Sequence, residues 1–264
     1  DIVCSFPAVS ALRSKYPGAV IVYRVPKQYV SIVQMARVAD VVVPAYYDYW
    51  GLPSTCKRFF DRIFQPVLMD EEQAESSNVH LVDDFCRKVG VEPEDRQPHL
   101  IVPARMHCRI EQILQTMALR NKPLVAIHIG PSWKTREWSV LGWQGLVRWL
   151  ISSRKADVLQ LGADVRVDGG QFTGIRITGS TDLVGKLSLE QTVACIEACD
   201  LFVGIDSGLL HIAGAVETPS VGLFGPVNPA FRLLPGTPST GVVSDVVCLG
   251  CHHRRPIIHS RDSC

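Results

Sequence analysis

Three residues in a row, Asp206-Ser207-Gly208, stand between an apolar run and a segment carrying His211; residues 203–229 read VGIDSGLLHIAGAVETPSVGLFGPVNP. An apolar strand that ends in such a turn and leads into a helix fits the ligand-binding edge of an open α/β sheet, the carboxyl end of its strands. The start of the helix offers unpaired amides and the positive end of the helix dipole, which suits phosphate. Ser207 supplies a small hydroxyl, Gly208 lets a backbone approach closely, and His211 is expected on the first turn, facing the same mouth. The ordinary alternative is a strand–turn–helix in which Asp206 caps the helix and His211 is incidental. A second turn after the next strand, Phe224-Gly225-Pro226 with Asn228-Pro229, falls at the same edge and favours the site.

A second group lies in residues 128–143, HIGPSWKTREWSVLGW. A strand ends near Ile129, and the loop beyond it holds Ser132, Lys134, Thr135 and Arg136. Two cations and two hydroxyls at a strand end can cradle a diphosphate; a solvated basic loop is the plainer alternative. Trp133, Trp138 and Trp143 read as packing residues. The third group is Cys248-Leu249-Gly250-Cys251, followed after twelve residues by Cys264, with His252, His253 and His259 between. Cys-x-x-Cys brings two thiolates within reach of one tetrahedral ion, and a third Cys or a His can complete a structural zinc or iron site. Unrelated thiols or a redox pair are the alternatives. Two familiar signatures fail. In residues 179–186, GSTDLVGK, five residues separate the glycines instead of four, and Leu187 stands where a P-loop needs Ser or Thr. No G-x-G-x-x-G follows an expected strand.

These groups need a scaffold, and the patterning supplies one. Residues 19–25, 39–43, 124–129, 157–161, 201–205 and 220–224 are short apolar runs, as expected of parallel strands covered on both faces. Helical patterns over 7–16, 110–119, 143–151 and 189–199 alternate with them, and Ser188 with Gln191 forms a capping-box signature. The alternation predicts a doubly wound α/β architecture. Asn121-Lys122-Pro123 marks the expected boundary between a domain of residues 1–121 and one of 122–264. The chain reads as trimmed from a longer protein, opening without a first strand and stopping on a cysteine without a closing helix.

Composition narrows the function classes. Hydrophobic residues are 47% and charged residues 20% of 264, which excludes a disordered chain. Lys+Arg 27 against Asp+Glu 26 argues against broad capture of nucleic acid. No apolar run approaches the ~20 residues of a membrane span, and no leader is visible at Asp1. Nine cysteines, an odd number spread over a chain with ample core, read mostly as free thiols of a reducing compartment; Cys195 and Cys199 share one helix face and read as core.

The stretch DSGLLH at Asp206–His211, the FGPVNP turn and the opening DIVCSFPAVSALRSKYP resemble the ADP-heptose:lipopolysaccharide heptosyltransferases, glycosyltransferase family 9, and the likeness reaches both halves of the chain. The resemblance implies a GT-B fold, two Rossmann-like doubly wound parallel-sheet domains facing a cleft. The acceptor would bind the N-terminal domain and the nucleotide sugar the C-terminal one. It implies inverting transfer of a heptose from ADP-heptose to a hydroxyl of a lipopolysaccharide core sugar or a protein, without a catalytic metal. By this likeness Asp1 matches the general base, and Arg136 falls at the family's phosphate-binding lysine, with Lys134 as its rival. Asp206, Ser207, Gly208 and His211 match the nucleotide-sugar motif, and Asp164 is a candidate for the ribose hydroxyls. The cysteines resemble the metal finger of a branch that heptosylates autotransporter proteins, without deciding the acceptor. A bacterial cytoplasmic location, peripheral contact with the inner membrane and oligomerisation are further expectations. Two rivals from other classes are a GT-B nucleotide-sugar epimerase and a non-catalytic metal-finger binding module.

Overall fold

The computed structural model describes residues 2–45, 58–64, 78–119, 121–132, 134–163, 166–167, 170–171, 174–245 and 249–250. The strands are β1 (Val22–Pro26), β2 (Val41–Ala45), β3 (Leu124–His128), β4 (Asp157–Gln160), β5 (Arg166–Val167), β6 (Gly170–Gln171), β7 (Thr181–Asp182), β8 (Leu201–Ile205), β9 (Ser220–Phe224) and β10 (Ser239–Val243). The helices are α1 (Phe6–Lys15), α2 (Val30–Ala36), α3 (Leu81–Val89), α4 (Ala104–Thr116), α5 (Val140–Arg154), α6 (Leu189–Glu197) and α7 (Gly208–Ala215). Strands β1 and β2 form a parallel pair, β5 and β6 a short antiparallel pair, and six strands form a sheet in the order β10-β9-β8-β3-β4-β7, every neighbouring pair parallel. From β3 the chain adds strands on one side, then returns to β8 and adds strands on the other. That is the Rossmann strand order, with its reversal between β3 and β8.

The apolar runs at the centre of the six-stranded sheet behave as the patterning predicts, whereas β1 and β2 are not covered on both faces and leave Val22, Val41 and Val43 exposed. All five residues of β3 are buried. Val125 and Ile127 point to one face of the sheet with Val203 and Ile205, where they meet Trp143, Val147 and Leu150 of α5. Leu124, Ala126 and Phe202 point to the other, against α6 and α7. Period-two alternation within a continuously apolar strand needs helices on both faces, and both are there. Among the described residues no helix is long and apolar enough to cross a membrane.

Local signals set several boundaries. The capping box is formed in full: Ser188 Oγ accepts from the Gln191 N–H at 3.2 Å and Gln191 Oε1 accepts from the Ser188 N–H at 2.8 Å. Helix α5 starts three residues before its expected position, because Ser139 Oγ caps it through the Gly142 N–H, and it stops where Lys155 turns left-handed (φ 55°). Helices α2 and α3 and strands β5, β6, β7 and β10 were not among the expected elements. Helix α3 is capped by a histidine, with His80 Nδ1 accepting from the Val82 N–H at 3.2 Å, and histidine is not among the usual capping residues.

The β1–β2 pair precedes residue 121 and the six-stranded sheet follows it, and one apolar core spans both. One cluster holds Cys4, Phe6, Ile32, Val82, Phe85, Ile110 and Leu114 together with Leu124, Phe202, Leu210 and Ala213. A main-chain bond reinforces the junction, from Leu100 N–H to Ala215 O at 3.0 Å. Helix α7 is therefore enclosed by the sheet on one side and the N-terminal half on the other, which is why an eight-residue helix can be apolar nearly all round.

Candidate functional site

The register pairs His128 with Gly204, so β3 and β8 end side by side at the strand-order reversal. The loop after β3 and the turn after β8 open into the same crevice, the place where open α/β sheets hold ligands. Ser207 is the N-cap of α7 in an extended conformation, yet its side chain makes no capping bond. Its Oγ is buried without a hydrogen-bond partner among the described residues, and so is Asp206 Oδ2. Gly208 has no positive φ, and a Cβ there would meet nothing within 4 Å. Neither conformation nor internal packing requires a glycine at that position.

Asp206 is 3% exposed. Its Oδ2 lies 3.4 Å from Arg136 Nε, and Arg136 Nη1 donates to the Asp206 carbonyl at 3.4 Å. Arg136 is thus drawn down onto the DSG turn, while Lys134, two residues earlier, stays exposed. The Ser132 N–H donates to Glu137 Oε1 at 2.9 Å. The FGPVNP turn packs closely on the loop after β3, since a Cβ on Gly225 would come within 2.7 Å of the Thr135 carbonyl. Gly225 in turn accepts from the Gly250 N–H at 3.2 Å. Trp143 is fully buried and meets Trp138 edge to face at 5.3 Å, in keeping with a packing role. Trp133 lies outside the described residues.

His211 departs from its expected place facing an open mouth: it is 3% exposed, inside the enclosed α7. Burial drives its pKa well below the ordinary 6.5, and the positive charges of Arg232 and Arg136 push the same way. It is a neutral imidazole at neutral pH. Arg232 is a site neighbour that sequence reasoning missed. Burial lowers its pKa, while the carboxylates of Asp206 and Asp84 favour its charge. His80 was missed as well. Because its Nδ1 accepts from Val82, its Nε2–H donates to the Leu233 carbonyl at 2.8 Å, tying the loop after β9 to α3 of the first half. No local signal announces contacts between residues 153 positions apart in sequence. His128 donates from Nδ1 to the Leu161 carbonyl at 3.0 Å, and burial lowers its pKa too.

Of the expected site residues, Ser132, Arg136, Asp206, Ser207, Gly208 and His211 are gathered around the ends of β3 and β8, with Lys134 at the rim. Asp1, Asp164, Cys248, Cys251 and Cys264 lie outside the described residues. Cys4, Cys86, Cys195 and Cys199 are buried free thiols, as the core reading of Cys195 and Cys199 requires. Burial raises the Cys4 thiol to about 12, so it stays protonated.

The sequence pattern of glycosyltransferase family 9 (heptosyltransferase) matches residues 70–258, well over half of the chain. The chain belongs to this family. Lipopolysaccharide heptosyltransferase 1 of Pseudomonas aeruginosa is 28% identical over 130 residues, which cover 48% of this chain and 36% of that protein. Lipopolysaccharide heptosyltransferase 2 of Salmonella typhimurium is 48% identical over 50 residues, 19% of this chain and 14% of that one. The matched stretches thus span well under two thirds of either curated relative. Among solved structures, ADP-heptose lipopolysaccharide heptosyltransferase II of E. coli superposes with a TM-score of 0.69 at 17% identity, over 92% of this chain and 86% of the other. The dodecameric iron-containing heptosyltransferase TibC of enterotoxigenic E. coli, in complex with ADP-D-beta-D-heptose, gives 0.73 at 18% identity, over 99% and 64%. The fold of this family member is accordingly GT-B, as the resemblance implied.

Proposed function

We propose that this family member is an inverting heptosyltransferase that binds ADP-heptose in the crevice between β3 and β8 and passes the heptose to an acceptor hydroxyl. The observation that carries the reading is the pair of buried oxygens without hydrogen bonds, Asp206 Oδ2 and Ser207 Oγ, at the amino end of α7 beside Arg136. The diphosphate would meet the α7 amides, the Ser207 hydroxyl, Arg136 and Lys134, a set that stabilises charge on a departing nucleotide without a metal ion. The open space at Gly208 leaves a phosphoryl oxygen room to reach the backbone. The Asp206 carboxylate, acceptor-only when ionised, would take a hydrogen bond from a donor hydroxyl. His211, neutral and enclosed, supports the shape of the site and does not carry a proton. In this reading Asp164 holds the ribose.

The chemistry is a single displacement. The bond between the anomeric carbon and the phosphate oxygen breaks as the acceptor oxygen bonds to the opposite face of that carbon. The electron pair leaves with ADP and the acceptor proton passes to the Asp1 carboxylate. The acceptor is a lipopolysaccharide core sugar or a protein hydroxyl, taken up by the first domain (residues 1–121), with the donor on the second (122–264), in a bacterial cytoplasmic protein. Cys248, Cys251 and Cys264 form a thiolate set suited to a structural zinc or iron ion, with a histidine among 252–259 or a further cysteine as fourth ligand. The 249–250 turn is bonded to Gly225, so such an ion would brace the FGPVNP turn. That TibC is described as iron-containing and dodecameric supports a metal and an oligomer in this chain as well.

Calorimetric titration with ADP tests the donor site, and incubation with ADP-heptose and acceptor tests transfer. Asp1→Asn is expected to lower turnover by about a hundredfold or more with ADP affinity unchanged. Transfer at the parental rate would remove Asp1 as the base, and absence of ADP binding would remove the donor site.

A further inference from the structure

The loop after β3 holds an acidic residue that neither the motif nor the mechanism uses. Glu137 is exposed, yet its carboxylate turns back into the loop, where Oε1 accepts from the Ser132 N–H at 2.9 Å. The same oxygen stands 3.4 Å from where a Cβ on Gly130 would be, and Ile205 Cδ1 stands 3.5 Å from that point. Ile205 is the last residue of β8 and precedes Asp206. The carboxylate therefore lies against the backbone between the ends of β3 and β8, next to the place assigned to the diphosphate. Carboxylate and phosphoryl oxygens seek the same partners, main-chain N–H groups and cations, and they repel one another.

We propose that Glu137 sets donor affinity: its carboxylate holds the Ser132 amide that a phosphoryl oxygen of a nucleoside diphosphate would take, and it swings out when that anion binds. The proposal rests on the donor-site reading above. The movement is an easy one, because the side chain is exposed and among the described residues a single hydrogen bond holds it. A ligand that requires the displaced form binds with an affinity reduced by the fraction of molecules in which the side chain is out. A carboxylate near the site thus weakens retention of ADP after transfer as well as capture of the donor. The site holds its nucleotide loosely in both directions.

The test is titration of ADP, and separately of adenosine, into the full chain and its Glu137→Gln, Glu137→Ala and Glu94→Gln variants. Glu94 is an exposed carboxylate in the first half and controls for net charge. Glu137→Ala is expected to bind ADP roughly fivefold tighter or more, Glu137→Gln to fall between it and the parent, and Glu94→Gln to match the parent within about twofold. Adenosine, which has no phosphate, should bind all four alike. ADP binding by the parent with equal or weaker binding by both Glu137 variants overturns the proposal and leaves the donor site standing. An equal gain for adenosine and ADP overturns it too, since the effect would not be on phosphate. No ADP binding by any of the four overturns the donor-site reading, and the proposal with it.

Discussion

Gln160 at the end of β4 and Asp206 just past the end of β8 belong to the same sheet and are buried alike, 1% and 3% exposed. Their hydrogen bonding is opposite. Gln160 Nε2 donates to the Ile175 carbonyl at 2.6 Å, while its Oε1 accepts from the Ile177 N–H at 2.8 Å and from Ser180 Oγ at 3.4 Å. Its amide is a clamp that holds residues 175–180 over the sheet edge. Asp206 keeps an oxygen with an ion pair at 3.4 Å and no hydrogen bond, and the neighbouring Ser207 hydroxyl has none. A buried polar group normally finds partners, because leaving it without them is costly. The amide at 160 is therefore part of the fold's own bonding, whereas the DSG turn keeps hydrogen-bonding capacity that the fold does not consume. Two residues of equal burial can be structural and functional, and the difference lies in where their hydrogen bonds go.

The largest effect should come from the clamp. Gln160→Leu strands the Ile177 N–H and the Ile175 carbonyl and is expected to cost about 3 kcal/mol of stability, read from urea denaturation. A loss under about 0.5 kcal/mol would show that the bonded amide is not structural. The buried imidazoles come next. Burial lowers the folded-state pKa of His128 and His211 below 6.5, so near and below that pH the unfolded chain binds more protons than the folded one. Their contribution is then present above pH 6.5 and lost as pH falls toward the folded-state values. Stability should therefore fall between pH 6.5 and 5.5, and a denaturation midpoint constant over that interval would contradict it.

On the functional side, Asp206→Ala should weaken binding of an ADP-sugar about tenfold or more, equivalent to ~1.4 kcal/mol. Unchanged affinity would take the DSG turn out of the site. The smallest effect sharpens the contrast most. Ser207→Ala removes a hydroxyl without internal bonds, so stability should hold within about 0.5 kcal/mol while ADP affinity falls about threefold. A stability loss as large as that of Gln160→Leu would mean that the hydroxyl serves the fold after all.

Much of this was legible in residue types and spacing. The six apolar runs at 19–25, 39–43, 124–129, 157–161, 201–205 and 220–224 each overlap a strand, and those of the central strands β3 and β8 are apolar because helices cover both faces. Ser188 with Gln191 announced a helix start, since both halves of a capping box lie within four residues. The chemistry-bearing turns could be placed at one sheet edge because a strand–turn–helix puts its turn at the carboxyl end. What local pattern could not supply was pairing across the sheet and packing between the halves. That β3 lies beside β8, bringing Arg136 onto Asp206 across 70 positions, follows from the strand order, which is decided by how the helices cover both faces. The enclosure of His211 has the same origin. Its helix reads as a neighbour of the site, and it is the N-terminal half that closes over it and removes the water that would have kept the imidazole titratable near neutrality. Residue types declare which groups can bind an anion, and only the packing of distant segments settles which are charged, which are bonded and which still have a hydrogen bond to give.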